Sequence, residues 1–452
     1  LEERIQRVEN GLRPPVVLKG EPQVRLSIAE RMRYHKVPGV SIAVVAGGKV
    51  EWARAYGTTS VQGGKPVTPD TLFQAASLSK SVAAMVALRL VEQGKLSLDE
   101  DVNLKLRSWK VPENEFTRTE KITLRRLLNH SAGLTVHGFE GYAAGAPVPS
   151  LVDVLDGKKP ANSAAVRVDV TPGSKWRYSG GGYEVMQLLL QDVTGKPFAQ
   201  LARELVLDPL GMKLSTYEQP LPRARAGEAA TGHVSDGSVL AGNWHTYPEQ
   251  AAAGLWTTPS ELARMILEMQ AGGRILKPES VNTLLTKRNG NYGLGFGLGD
   301  RDGRKSFAHG GANEGFRCQY FAYRDSGDGA VIMTNSDNGS ELANEILRSL
   351  SAEYGWASYR QDVKTLARVD AAILQTYAGD YQVPDGPLVR IAFEDGRLFA
   401  IAPGPKKQLL PESAERFFTL EGGLPPFEFV RKDGGEMELH SGDAPVAKRV
   451  RP

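Results

Sequence analysis

The chain has 452 residues, 41% hydrophobic and 24% charged, which are ordinary globular proportions in a chain too long for one simple core. Its 55 basic and 52 acidic side chains leave a net charge of +3 without a lysine- or arginine-rich block, so nothing favours a nucleic-acid partner. The single cysteine, Cys318, excludes an intramolecular disulfide and a cysteine-rich zinc site. No H-E-x-x-H, Walker loop, intact G-x-G-x-x-G or G-x-S-x-G is present, and no apolar run approaches the ~18 residues of a spanning helix. The expectation is a protein with no metal, no cofactor and no membrane span. A chain that opens at Leu1 suggests a removed leader or a trimmed sequence, so a periplasmic or secreted location is expected and a cytoplasmic one stays open.

In chain order, Val24, Ile28 and Met32 give residues 22–36 a helical stripe ending before Val37-Pro38-Gly39. Residues 40–45 and 49–53 flank Gly47-Gly48 as a β-hairpin. From Ser77 a long apolar pattern through Met85, Leu88 and Leu90 predicts a helix closed by Gly94. Residues 100–275 read mostly as helices joined by long loops, including 121–134 with a capping Thr123 and a glycine stop. Within that stretch Asn129-His130-Ser131-Ala132-Gly133 resembles a nucleophile elbow but lacks its first glycine, and His130 reads as a hydrogen-bonded structural histidine. Trp176-Arg177-Tyr178-Ser179-Gly180-Gly181-Gly182 leads into another helix, where Tyr178 is either a cleft residue or a packed turn aromatic. A helix from Pro259 precedes strand-like runs at 292–298, 316–323 and 330–334, with His309-Gly310-Gly311 placed where a strand would start. A helix at 341–354 follows, and Lys364–Val369 reads as a connector. Beyond about residue 372, short β-prone runs alternate with turn signals at Asp395-Gly396, Gly422-Gly423 and Asp433-Gly434-Gly435. Recurrent aromatics between Tyr377 and Phe429 complete the pattern of a small β-barrel or sandwich.

The pattern thus predicts an α/β (α+β) protein. An antiparallel sheet built from the early hairpin and the later strands is flanked by helices, with a mainly helical subdomain at about 80–275. The domain boundary is drawn at residue 360, leaving 361–452 as the β-domain.

The chemistry is expected at Ser77-Leu78-Ser79-Lys80, the one S-x-x-K in the chain. On a helix, residues i and i+3 share a face, so the Ser77 hydroxyl and the Lys80 amine come within hydrogen-bond reach. A serine hydroxyl is a weak nucleophile until a base takes its proton, and a lysine serves only when neutral. The helix start also offers the Ser77 N–H as an oxyanion donor. Taken alone, such a pair is more often a surface turn beside a snorkelling lysine.

Three boxes in order resemble those of the serine β-lactamase and penicillin-binding-protein superfamily. Ser77-x-x-Lys80 is the first, Tyr178-Ser179-Gly180 stands where the family has Tyr-x-Asn, and His309-Gly310-Gly311 where it has Lys-Thr-Gly. Leu127–Leu134 and Asp208–Met212 are similar to the class C branch with its esterase and D-aminopeptidase relatives. The resemblance covers roughly residues 20–355. It implies a β-lactamase/transpeptidase-like fold followed by a lipocalin-like barrel. It also implies an acyl-enzyme on Ser77 with Lys80 as base, and Tyr178 passing the proton to the leaving group. His309 would stand at the pocket wall, the N–H groups of Ser77 and Ala312 would form the oxyanion hole, and Gly180, Gly310, Gly311 and Asn313 would line the substrate. Gly180 lacks the amide of the family's asparagine, and His309 would carry a positive charge only when protonated, which implies activity that changes near neutral pH. The implied function is hydrolysis of an ester or a D-amino-acid-type amide, with weak β-lactam turnover. The alternatives are a true β-lactamase or D,D-carboxypeptidase, or a penicillin-binding sensor that does not turn over.

Overall fold

In the computed structural model, residues 1–450 are described except 289, 385, 403–405, 421–425, 434 and 443. Two compact units divide the chain, Ala29–Ala343 in one and Leu1–Ile28 with Asn344–Pro452 in the other.

The first unit is organised on a six-stranded antiparallel sheet. Its strands are Gly39–Ala46 (β1), Lys49–Gly57 (β2), Gly297–Arg301 (β3), Arg304–Asn313 (β4), Phe316–Tyr323 (β5) and Gly329–Thr334 (β6), in the spatial order β2-β1-β6-β5-β4-β3. The hairpin expected from Gly47-Gly48 is β1–β2, and Ile42 of β1 lies opposite Ile332 of β6, so the two ends of the unit's chain meet at the centre of the sheet. β1 is apolar almost throughout and buried, as a strand covered on both faces must be.

The helices used below are Ser79–Glu92 (α1), Leu124–Leu128 (α2), Gly180–Thr194 (α3), Gln250–Ala253 (α4) and Pro259–Ala271 (α5). α5 packs across β1, β2 and β6, with Pro259 at its first position and the Thr258 hydroxyl accepting the Glu261 N–H. α1 is buried on nearly every face, including Ser79, Lys80 and Ser81, because helices and sheet surround it. Burying Lys80 at 2% exposure costs several kcal/mol unless its amine is hydrogen-bonded, so its partners follow from its position.

Several element boundaries differ from the sequence reading. The first helix is Ile28–His35, leaving Val24 outside it and 51% exposed. The 121–134 helix stops at Leu128, where the Asn129 side chain turns forward to accept the Ser131 N–H and hydroxyl, and His130 takes a left-handed φ of 60°. The run 292–298 is extended only from Gly297, because Gly295 is drawn onto α1 by the Ser81 hydroxyl at 2.7 Å. His309-Gly310-Gly311 does not precede a strand but lies inside β4, which ends at Asn313.

In the second unit, Val16–Leu18 pairs in parallel with Asp362–Lys364, whose last residue opens the stretch read as a connector, and Arg7 clasps Glu353 at 2.7 and 3.0 Å. Eight antiparallel strands between Gly379 and Arg449 close into a barrel in sequential order. Its interior holds Tyr377, Tyr381, Phe417, Phe427 and Phe429, with Tyr377 stacked on Phe429 at 4.2 Å. The recurrent aromatics were thus filling a barrel too narrow to stay empty. The turn signals at Gly422-Gly423 and Gly434 lie outside the described residues.

Candidate active site

Ser77 occupies a single helical turn, Ala76–Leu78, immediately before α1. Ala76 has a left-handed φ of 49°, which costs a residue with a β-carbon about 1 kcal/mol and lifts the serine out of the helix line. The Lys80 Nζ is 3.0 Å from Ser77 Oγ and donates to the Ala252 carbonyl at 2.8 Å. α4 carries that carbonyl. It is fixed from behind by α3, whose Glu184 and Gln187 accept the N–H groups of Ala252 and Ala251 at 3.1 and 2.8 Å.

Tyr178 stands just before α3. Ser179 caps that helix, accepting the Gly182 N–H at 3.0 Å and donating to the Thr135 carbonyl at 2.7 Å. The Tyr178 ring lies over the lysine, with Nζ 5.0 Å from its centroid, and between the His130 and His137 rings at 4.2 and 4.9 Å. Ser77, Lys80 and Tyr178 share a cleft of about 370 Å³ with Gly310, Gly311 and Ala312.

The far wall of that cleft is the end of β4. β3 pairs with β4 only as far as Ala308; beyond it β4 runs against the nucleophile turn. At Gly311 a Cβ would stand 2.5 Å from the Ala75 carbonyl oxygen, so only glycine lets the strand approach so closely. Gly180 is shaped by a similar constraint on the opposite side: a Cβ there would meet the Phe139 ring at 3.0 Å and the His137 carbonyl at 3.1 Å. The place of the family's asparagine is therefore occupied by the 137–139 segment, and Gly180 does not line the cleft. Asn313 does line it, yet its amide donates to Gln74 Oε1 at 2.8 Å and to the Ala253 carbonyl at 3.2 Å. These bonds tie β4 to its surroundings and spend the amide N–H groups on the protein itself.

His309 is half-buried behind the cleft wall, its ring 6.3 Å from that of Tyr178. Its Nδ1 lies 2.6 Å from the Gly310 carbonyl, which can only accept, so Nδ1 carries the proton. Nε2 then accepts the Tyr292 hydroxyl at 2.9 Å. Burial, reinforced by the Lys80 charge, holds the imidazole down at about 4, so His309 is neutral near neutral pH. That value lies below the near-neutral titration expected of it. Among the described residues lining the cleft, Lys80 is the one lysine or arginine, and there is no carboxylate.

Sequence reasoning missed Ala252, which acts through its backbone and carries no side-chain signal. It also missed Tyr292, which read as a strand residue, and the role of His137 and Phe139 as cleft lining. Cys318, as expected of a small buried hydrophobe, is 4% exposed on β5, and its thiol is pushed up to about 12 by burial.

Residues 24–353 match the Beta-lactamase family. The chain belongs to that family. Among its curated relatives, penicillin-binding protein 4 of Amycolatopsis lactamdurans is 27% identical over 338 residues, 71% of this chain and 86% of that protein. The esterase EstB of Burkholderia gladioli is 31% identical over 192 residues, 41% of this chain and 48% of the esterase. The octameric penicillin-binding protein homologue from Pyrococcus abyssi shares the fold at a TM-score of 0.63 and 21% identity, over 93% of this chain and 98% of that one. The D-amino acid amidase from Ochrobactrum anthropi SV3 does so at 0.61 and 21%, over 72% and 98%. The family member described here is thus placed in the serine β-lactamase and penicillin-binding-protein superfamily of hydrolases. Among the described residues no helix is long and apolar enough to cross a membrane.

Proposed function

We propose that this protein hydrolyses small esters or D-amino-acid-type amides through an acyl-enzyme on Ser77. The observation that carries the reading is the buried Lys80 amine held between Ser77 Oγ at 3.0 Å and the Ala252 carbonyl at 2.8 Å. As base, Lys80 keeps one N–H on that carbonyl and turns a lone pair to the serine hydroxyl, in the uncharged form the step requires. As Ser77 Oγ bonds to the substrate carbonyl carbon, its proton passes to Lys80. The new oxyanion is met by the N–H groups of Ser77 and Ala312 across the narrow gap at Gly311. Tyr178, over the lysine, relays that proton to the departing alcohol or amine, and in the second half-reaction helps a water attack the acyl carbonyl.

The charge in the cleft supports this substrate class. A β-lactam or a peptidoglycan stem peptide presents a carboxylate, and a neutral His309 turned away toward Tyr292 gives it no fixed cation. A substrate without a carboxylate, either an ester or a D-amino-acid amide, matches the lining better, in keeping with the esterase and the D-amino acid amidase among the similar proteins.

A turnover panel of short-chain p-nitrophenyl esters, D-alanyl amides and a chromogenic cephalosporin tests this reading, together with time-resolved labelling by a fluorescent penicillin. Ester or amide turnover with slow cephalosporin hydrolysis is expected. Fast cephalosporin turnover, or a penicillin label that never leaves while esters are untouched, would overturn it.

A further inference from the structure

One residue outside the three boxes holds Tyr178 from three directions. The His130 carbonyl accepts the Arg177 N–H at 2.8 Å, and its ring Nδ1 accepts the Ser179 N–H at 3.1 Å, so the residues on both sides of Tyr178 hang from His130. Between those two bonds the imidazole lies against the Tyr178 ring, with centroids 4.2 Å apart and planes inclined by 35°. The same ring backs onto Tyr183 at 5.3 Å and Tyr292 at 4.9 Å, which keeps it from sliding away from the tyrosine it supports.

The rest of His130 serves this posture. Its φ of 60° is left-handed, an uncommon state for a residue with a β-carbon, and it turns the chain abruptly after α2 so that carbonyl and ring face the same segment. Nδ1 can accept the Ser179 N–H only while unprotonated. Burial, with the nearby Lys80 second, keeps the imidazole well below its ordinary range, so the acceptor persists. The proton then sits on Nε2, a buried atom without a hydrogen-bond partner among the described residues. Packing alone would not explain a buried imidazole that leaves one nitrogen unpaired while the other holds the peptide following Tyr178.

We propose that His130 is the positioning residue for Tyr178, fixing through its carbonyl, its Nδ1 and its ring face the angle at which the tyrosine hydroxyl meets Ser77, Lys80 and the leaving group. This rests on the reading of Ser77, Lys80 and Tyr178 as the acyl-transfer machinery. His130 touches neither substrate nor nucleophile in this scheme; it acts on the rate of proton relay and not on substrate affinity.

The test compares His130→Leu with His130→Asn in the full chain, using a p-nitrophenyl ester and labelling of Ser77 by a fluorophosphonate. Asparagine tolerates the left-handed backbone and places Oδ1 near the site of Nδ1, whereas leucine removes the acceptor. Misplacing a catalytic group by about 1 Å costs on the order of 100-fold, so His130→Leu is expected to lower kcat by ~100-fold with KM little changed. His130→Asn is expected to recover at least ~10-fold of that loss. In a Tyr178→Phe background, His130→Leu should add less than ~3-fold, because the residue it acts through is already disabled. Equal losses in the leucine and asparagine variants, or an undiminished effect in the Tyr178→Phe background, would overturn the inference. If His130→Leu does not fold, His130→Gln, which displaces the acceptor by one bond, carries the same comparison against His130→Asn. A wild-type protein that fluorophosphonate does not label at Ser77 overturns the acyl-enzyme reading, and this inference with it. A labelled wild type with indifferent His130 variants overturns the inference alone.

Discussion

Adjacent glycines in the third box are expected to respond unequally to a single methyl group. At Gly311 an added Cβ would lie 2.5 Å from the Ala75 carbonyl oxygen, 2.9 Å from Leu78 Cδ1 and 3.1 Å from Ala76 Cβ. The first contact is about 1 Å inside the ~3.5 Å of ordinary packing, and it is made with backbone, which cannot rotate aside. Overpacking of this kind costs ~1–3 kcal/mol. At ~2.1 cal/mol/K per residue, a unit spanning Ala29–Ala343 shifts by roughly 1.5 °C per kcal/mol, so Gly311→Ala should lower Tm by about 2–5 °C. The strain falls on the Ala76–Leu78 turn, so kcat should drop by ~100-fold as the serine moves relative to its base. At Gly310 nothing lies within 4 Å of the added carbon, and Gly310→Ala should leave Tm within about 1 °C of wild type. Scanning calorimetry and ester kinetics on both variants check this. A Gly311→Ala protein with unchanged Tm and kcat, or equal losses in both variants, would refute the close approach of β4 to the nucleophile turn.

Other outcomes follow from the same geometry. Ser77→Ala should abolish ester turnover and fluorophosphonate labelling, and Lys80→Ala or Tyr178→Phe should lower turnover by ~100- to 10,000-fold; mass spectrometry of the labelled protein locates the nucleophile. For His309, whose folded value of about 4 lies below an unfolded ~6.5, the neutral form stabilises the fold fully above ~6.5, and that contribution fades as pH falls toward 4. Urea midpoints of wild type and His309→Asn should therefore run parallel from pH 7 to 8 and converge or cross toward pH 4, while ester kcat/KM shows no His309 titration between pH 5 and 8. Glu249 has the opposite sign. Among the described residues no other residue hydrogen-bonds its two buried oxygens, and desolvation pushes its carboxyl up to about 8. Stability tied to its neutral form is complete below ~4.5 and is lost as pH rises toward 8, so Glu249→Gln should gain up to a few kcal/mol over wild type between pH 5 and 8. Denaturation curves for the pair that stay parallel over that range would count against a buried neutral carboxyl.

Much of this protein was legible along the chain because its signals are local. A Ser and a Lys three apart at a helix start share a face whatever surrounds them, and Lys80 does reach Ser77. Gly47-Gly48 between alternating runs makes a hairpin, and aromatics at strand spacing fill a barrel. Local pattern failed where a distant neighbour supplied the decisive bond. The 121–134 helix stops early at a forward-turned Asn129, and the 292–298 strand is bent by Ser81 of a helix some 200 residues earlier, an order of separation no window reads. In the same way, nothing in His309-Gly310-Gly311 announces that Tyr292 and the Gly310 carbonyl fix its tautomer, or that burial beside Lys80 keeps it neutral. The sequence by itself determined which residue types could carry acyl transfer and the order in which they occur. Tertiary structure alone decided their partners, the lowered titration of His309 and the closeness of β4 to the serine. Desolvation and hydrogen bonding depend on what the folded chain brings alongside a group, and those neighbours lie far away in sequence.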